Sequence, residues 1–300
     1  MCVIKMNGGL QNLGNTCAIN SLIQCIYSID KLRAILLQQN INNSIAFELL
    51  DIFNKFQQGY SITPNGFVRK LMEVFEGFLI AGEQFDIGEL WILLADKISE
   101  ELNKPVNIIA ANKIEEQVLK LNAHKSSPWQ NAIQGVNISI TKCNTCDEDV
   151  INTDLFTVLT LDLSTNIEII DMMKSFFKVE DLTEWSCDKC KNKGGRKQYQ
   201  IHRLPDVLCI LIKRFNNNFQ KLENPINIPL DLNIYTDSGH HYYKLKSMGN
   251  HFGAFGMGHY TSIVYNGAWK HIDDLKIDNI EPNQFTQNNQ FAYILFYERA

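Results

Sequence analysis

Two Cys-x-x-Cys pairs place the tightest constraint on how this chain can fold. Cys143-Asn144-Thr145-Cys146 and Cys187-Asp188-Lys189-Cys190 stand 44 residues apart, first Cys to first Cys. Four thiolates from two such turns complete a tetrahedral zinc shell with no open position, so the implied ion is structural. The separation is too long for a compact zinc finger. The metal would instead clip together two strand ends, with a hairpin and a helix between them. The competing reading is a redox pair. Thioredoxin-type motifs come singly and open a helix within a βαβ unit, and neither condition holds here. One structural zinc is therefore expected, and no organic cofactor. Cys2, Cys25 and Cys209 read as unligated, with Cys25 and Cys209 buried.

Three hundred residues suffice for a large core, as one big domain or two lobes. Hydrophobic content of 45% and charged content of 20% are those of a soluble globular protein. A net charge of −5 argues against a nucleic-acid partner, which calls for a basic face. The start, Met1-Cys2-Val3-Ile4-Lys5-Met6-Asn7, is too short and too polar for a signal peptide. The longest apolar run, Val207-Leu208-Cys209-Ile210-Leu211-Ile212, falls far below a membrane span and reads as a buried strand. No membrane association is expected. The expected compartment is reducing, cytoplasmic or nuclear or both.

Residues 17 to about 122 read as mostly helical. Ser44 can cap a helix with Ile45, Leu49, Ile52, Phe53 and Phe56 on one face, closed near Gly59. Thr63-Pro64 opens another, carrying Phe67, Leu71, Val74, Phe75 and Phe78. Asp86 precedes a third, through Leu90, Leu93, Leu94, Ile98 and Leu102, which Asn103-Lys104-Pro105 stops. From about Gly135 the pattern turns to strands: 136–141, 154–163, 197–202, 207–215, 242–246, 260–265 and 291–298. One helix, Ile167 to about Val179, interrupts them. Asn216-Asn217-Asn218 and 283–290 read as polar loops. Helices first and strands later is the α+β arrangement.

Within this frame one stretch carries chemistry. In Gly9-Leu10-Gln11-Asn12-Leu13-Gly14-Asn15-Thr16-Cys17, a turn delivers Cys17 to the first position of a helix marked by Ile19, Leu22, Ile23 and Ile26. Gly14 allows the tight path, and Asn15 or Thr16 can cap the helix. A helix start favours thiolate over thiol, and the thiolate is the nucleophile. Asn12 could offer an amide to a developing oxyanion. The plain alternative is a buried structural cysteine.

The complementary histidine stands near the other end. Gly258-His259-Tyr260 sits at the mouth of a strand after a Gly-rich loop. The Asn266-Gly267 turn then predicts a hairpin that brings Asp273 back beside His259. The carboxylate can accept from one imidazole nitrogen while the other faces Cys17. The plain alternative is a loop histidine with Asp273-Asp274 as a solvated turn. A Cys on an early helix and a His on a late strand put the site in a cleft between two lobes, the geometry of papain-like proteases.

The first stretch resembles the cysteine box of the ubiquitin-specific proteases, through Gly9-Leu10, Asn12, Gly14, Asn15-Thr16-Cys17, Asn20-Ser21 and Gln24. Ala18 stands where that family has an aromatic, a change of packing. His251-Phe252-Gly253, Gly258-His259-Tyr260, Trp269, Asp273-Asp274 and 292–299 match its histidine box. The resemblance implies a thiol hydrolase that cleaves the isopeptide or peptide bond after the C-terminal glycine of ubiquitin. Cys17, His259 and Asp273 would be catalytic, Asn12 the oxyanion donor and Asp274 an assisting acid. His251 would be a loop residue, and His271, His240 and His241 surface residues. Gly82-Glu83-Gln84-Phe85-Asp86-Ile87-Gly88-Glu89 is similar to the Gln-Gln-Asp box, with Phe85 replacing the second glutamine. It implies that the acids Asp86 and Glu89 bind the Arg-rich tail of ubiquitin, and that Gln84, Gly258 and Tyr260 also bind the substrate, with 253–258 bordering the narrow channel for its Gly-Gly end. From the residues alone, Asp86 and Glu89 also read as a capping box, and the two roles can coexist. Glu180-Asp181-Leu182, 204–208 and Lys213-Arg214-Phe215 match as well. The resemblance runs from about Gly9 to Arg299 and leaves few residues here for an accessory domain. It implies a single catalytic domain over 1–300: a helical lobe (about 9–134), zinc-binding fingers of zinc-ribbon type (about 135–200) and a β-rich lobe (about 201–300). The expected partners are ubiquitin and ubiquitinated proteins, and the expected state a monomer. Two other functions stay open, a protease for a ubiquitin-like modifier and a catalytically silent ubiquitin-binding scaffold.

Overall fold

A computed structural model describes residues 8–39, 41–80, 82–163, 167–236 and 239–300. Cys2 and the N-terminal stretch read for a signal lie outside the described residues. The helical part comprises α1 (Cys17–Ser28), α2 (Asp30–Leu37), α3 (Ile45–Gln57), α4 (Asn65–Val74) and α5 (Ile87–Leu102). A short strand β1 (Lys104–Pro105), α6 (Lys113–Leu121), β2 (Lys125–Ser126) and α7 (Pro128–Ile133) complete it. All 12 residues of α1 are buried, which makes it the central helix. Several of its polar side chains reach backbone carbonyls; Gln24 Nε2, for example, donates to Gly8 O at 3.2 Å. Ser44 caps α3 as expected, accepting from Phe47 N at 3.0 Å. The face expected to run to Phe78 stops early, because α4 ends at Val74 and Phe78 lies in a turn, 80% exposed.

Among the described residues, the strands form two sheets beyond the small β1–β2 pair. One has four strands: β3 (Gly135–Cys143), β4 (Asp149–Phe156), β6 (Glu180–Ser186) and β7 (Lys193–Arg203), in the order β4-β3-β7-β6. The other has eight: β5 (Leu159–Asp162), β8 (Val207–Lys213), β9 (Asp231–Thr236), β10 (Gly239–Ala254), β11 (Met257–Tyr265), β12 (Trp269–Asp273), β13 (Lys276–Asn279) and β14 (Ala292–Arg299). Their order is β13-β12-β11-β10-β14-β8-β5, with β9 on β10. The expected strand 154–163 splits at 157–158, and its second half crosses to pair parallel with β8. The chain between the two hairpins of the small sheet thus returns to the large one. It builds β5 and α8 (Ile169–Phe176), which is shorter than the helix expected to reach Val179.

β8 shows why its run is apolar throughout. Val207 and Cys209 face the core shared with α1 and α5, while Leu208, Ile210 and Ile212 face a second core under α8. A strand buried on both faces has no polar side to show. Among the described residues, no helix is long and apolar enough to cross a membrane.

Candidate active site

The backbone from Gly9 to Asn12 runs between Ile62 and Asp274. Ile62 N donates to Gly9 O at 2.9 Å, and Leu10 N to Asp274 O at 3.0 Å. Gly9 permits this approach, since a Cβ there would lie 2.5 Å from Leu275 Cα. The turn that follows is organised by Asn12. Its Oδ1 accepts from Gly14 N at 2.9 Å and from Thr16 N at 3.3 Å. Gly14 and Asn15 take left-handed backbone conformations, at φ 96° and 57°.

Neither Asn15 nor Thr16 caps α1 with its side chain, contrary to expectation. Asn15 Nδ2 reaches Gly82 O at 2.6 Å, and Thr16 Oγ1 turns back to accept from Leu13 N at 2.9 Å. The N–H groups of the first turn therefore stay open. Those of Ala18 and Cys17 itself face the Cys17 sulfur, together with Tyr260 N–H from β11. Cys17 as a residue is only 4% exposed. Burial pushes the Cys17 thiol up; the Tyr260 N–H opposes it, the Asp274 charge adds to it, and the two helix N–H groups pull it back. The net shift is upward, so the helix start does not by itself make a thiolate here. Burial outweighs it.

His259 and Asp273 meet as the hairpin predicts. His259 Nε2 lies 2.6 Å from Asp273 Oδ1, both side chains partly exposed. The turn spans three residues, 266–268, with Gly267 at φ 82°. The last paired residues are Ser262 and Ile272, so Asp273 lies diagonal to His259. With Nε2 bonded to the carboxylate, Nδ1 is the nitrogen left for proton transfer. Among the described residues, no hydrogen bond joins Cys17 to His259. Asp274, at φ 52°, receives two amides: Asn12 Nδ2 on Oδ2 at 2.9 Å and Asn20 Nδ2 on Oδ1 at 2.7 Å. One N–H of Asn12 is thus held and the other is available beside the thiol's turn.

The acidic box is built differently from a simple arginine grip. Asp86 caps α5 through Oδ1, accepting from Gly88 N at 2.8 Å and Glu89 N at 3.0 Å. Its Oδ2 accepts from Tyr293 OH at 2.5 Å and Tyr260 OH at 3.3 Å. Both oxygens are engaged by the protein itself. Glu89 is exposed, and burial followed by the Asp86 charge raises its pKa. Gln84 joins Gly258 across the cleft by two hydrogen bonds.

His251 is not a loop residue. It lies in β10, 4% exposed, with its ring 4.7 Å from that of Tyr260 and its Nδ1 without a partner. The β10–β11 hairpin continues to Ala254 opposite Met257 and carries His251 inside. Burial, and then Lys221, push its pKa down to about 4. His271 is half-buried and bonded to Thr261 Oγ1 at 2.9 Å, while His240 is exposed. Asn20 and Tyr293 escaped the sequence reading. Both lie inside matched stretches, Asn20 near the cysteine and Tyr293 within 292–299, but neither carries a role that its sequence context reveals.

Away from the cleft, the four cysteines converge at one end of the small sheet. Cys143 Sγ lies 3.6 Å from Cys190 Sγ, and Cys146 Sγ lies 3.7 Å from Cys187 Sγ. All four sulfurs fall within 4.8 Å of one another. A disulfide needs about 2 Å. Zn–S bonds of about 2.3 Å give a tetrahedral edge of about 3.8 Å, which these spacings fit. Backbone N–H groups of Cys146 and Thr145 pull the Cys143 thiol down, while the neighbouring cysteines push that of Cys146 up.

A helical lobe bearing a cysteine at a helix start, set against a sheet bearing a His–Asp pair, defines a papain-like cysteine hydrolase. Residues 8–297 match the ubiquitin carboxyl-terminal hydrolase family, and the chain belongs to it, as a deubiquitinase of the cysteine type. The chain is 26% identical over 330 residues to ubiquitin carboxyl-terminal hydrolase 12 of Salmo salar, covering 97% of this chain and 89% of that one. It is 27% identical to ubiquitin carboxyl-terminal hydrolase 4 of Arabidopsis thaliana, covering 97% and 92%. Against ubiquitin carboxyl-terminal hydrolase 4 of Saccharomyces cerevisiae, at 28% identity, it spans 39% of the relative's length. Among solved structures, the SAGA DUB module Ubp8/Sgf11/Sus1/Sgf73 bound to monoubiquitin matches with a TM-score of 0.80 at 22% identity. That match covers 98% of this chain and 69% of that one. The likeness to it is one of fold.

Proposed function

We propose that Cys17 is the nucleophile, His259 the base and Asp273 the residue that orients it, acting on the bond after ubiquitin's C-terminal glycine. The observation that carries this is the 2.6 Å His259–Asp273 contact, on the strand whose next residue, Tyr260, directs its N–H at the Cys17 sulfur. Because burial keeps the thiol protonated, attack is coupled to proton transfer. Nδ1 of His259 takes the proton as sulfur bonds to the glycine carbonyl carbon, and Asp273 stabilises the imidazolium. The oxyanion takes the free N–H of Asn12 and the backbone N–H of Cys17. Imidazolium then protonates the leaving amine, and water, deprotonated by the neutral ring, hydrolyses the thioester. Asp274 serves by holding Asn12.

In this reading Glu89 offers the exposed carboxylate for a basic tail, while Asp86 supports β11 through Tyr260. Cys143, Cys146, Cys187 and Cys190 hold one zinc ion, which supplies no chemistry to the reaction and fixes the ends of two hairpins. The whole chain acts as one catalytic domain and a monomer, in the cytoplasm, the nucleus or both. Intact mass after mixing the protein with ubiquitin bearing a C-terminal electrophile tests the core of the proposal. A shift of one ubiquitin is expected, lost in Cys17→Ala. Absence of the shift in a folded, zinc-loaded protein refutes ubiquitin as the ligand.

A further inference from the structure

The segment before α5 crosses the cleft and ties itself to β11. Gln84 Nε2 donates to Gly258 O at 2.7 Å, and Gln84 Oε1 accepts from Gly258 N at 2.7 Å. Both backbone groups of Gly258 are thus taken by an exposed side chain 174 residues away in sequence. The segment is anchored on each side of Gln84, by Asn15 to Gly82 O and by the Asp86 cap.

The edge of β11 that Gln84 covers leads to the nucleophile. In a strand, the N–H and C=O of alternate residues point to the same side. Gly258, Tyr260 and Ser262 therefore share one edge. β12 covers that edge from Ser262 onward, and Tyr260 N–H faces the Cys17 sulfur. Gly258 is the next place along it, where an extended chain ending at Cys17 meets a donor and an acceptor together. A primary carboxamide presents the same pair of groups as a peptide unit, so Gln84 mimics the strand that would add there.

Of the two partners, Gln84 is the one free to move. A Cβ on Gly258 would lie 2.1 Å from His251 Nε2, so the buried ring packs directly under this backbone and fixes its height. The Gln84 side chain stands in solvent and can swing away, exchanging its two bonds for two with water.

We propose that Gln84 is a latch: in the free enzyme its amide occupies the Gly258 backbone pair that the substrate's tail uses on its way to Cys17. The tail must displace it, so the affinity of the free enzyme for its substrate is reduced by the fraction latched. This deepens the proposed action on ubiquitin's C-terminal tail and rests on it.

Gln84→Met keeps the bulk and removes both hydrogen bonds. Two readouts test it. The first is hydrogen exchange at Gly258 N–H in the free protein, followed by NMR. The second is the rate of Cys17 capture by ubiquitin with a C-terminal electrophile, compared with alkylation by iodoacetamide, which needs no tail. In the variant, exchange at Gly258 and capture by ubiquitin should each rise about five-fold, the worth of about one net hydrogen bond, with iodoacetamide unchanged. Unchanged exchange overturns the latch, and so does slower capture, which would make Gln84 a grip on the tail. If ubiquitin captures neither protein while iodoacetamide alkylates both, the ubiquitin reading fails. The exchange at Gly258 then decides the latch alone, acceleration supporting it and no change overturning it.

Discussion

Asp274 faces two demands that pull apart. Its carboxylate holds Asn12 and Asn20 in place, and its charge opposes ionisation of Cys17. A negative neighbour disfavours thiolate, so removing it should lower the thiol's pKa. Asp274→Asn is expected to shift the pH dependence of iodoacetamide alkylation of Cys17 to lower pH, while turnover falls as Asn12 loses its charged anchor. A shift to higher pH would contradict the assigned sign. At this scale the sequence was informative about where these residues sit and less so about their state. Cys17 is legible from its place at a helix start, yet its raised pKa follows from burial that no local pattern encodes.

Among the elements, α5 joins the helical part to the large sheet through one side chain. Asp86 closes the helix N-terminus and receives two tyrosine hydroxyls, one from β11 and one from β14. Asp86→Ala removes a cap and leaves two partly buried hydroxyls without their acceptor. The expected loss of stability is about 2–4 kcal/mol by urea denaturation; a loss within 0.5 kcal/mol, the scale of an ordinary surface substitution, would show that the tyrosines bond elsewhere. The cap was readable from Asp86 and Glu89 three apart. The tyrosines were not, because they lie 174 and 207 residues further along. β10 shows the same limit. Only 242–246 read as a strand, whereas it runs from Gly239 to Ala254. Buried Ser247, Asn250 and His251 break the alternation, and register shifts after Leu245 and Gly249 break the period.

For the whole molecule, the four-stranded sheet is made of two excursions of the chain, β3–β4 and β6–β7, joined side by side through β3 and β7. Elemental analysis should find one zinc per chain, and Cys187→Ser should lose it and lower the melting temperature. Retention of full metal content in that variant would remove Cys187 from the ligand set. The two turns that carry the cysteines sit at the same end of the sheet, since Cys143 pairs with Gly195. With the proposed zinc bound, either backbone could be cut between its two cysteines without parting from the other, because the severed ends would remain bridged through sulfur and metal. Proteolytic nicks at 144–145 or 188–189, between the two cysteines of a turn, should stay invisible on a native gel while zinc is present. Once a chelator is added, the same nicks become fraying ends, so cleavage and metal loss together do what neither does alone.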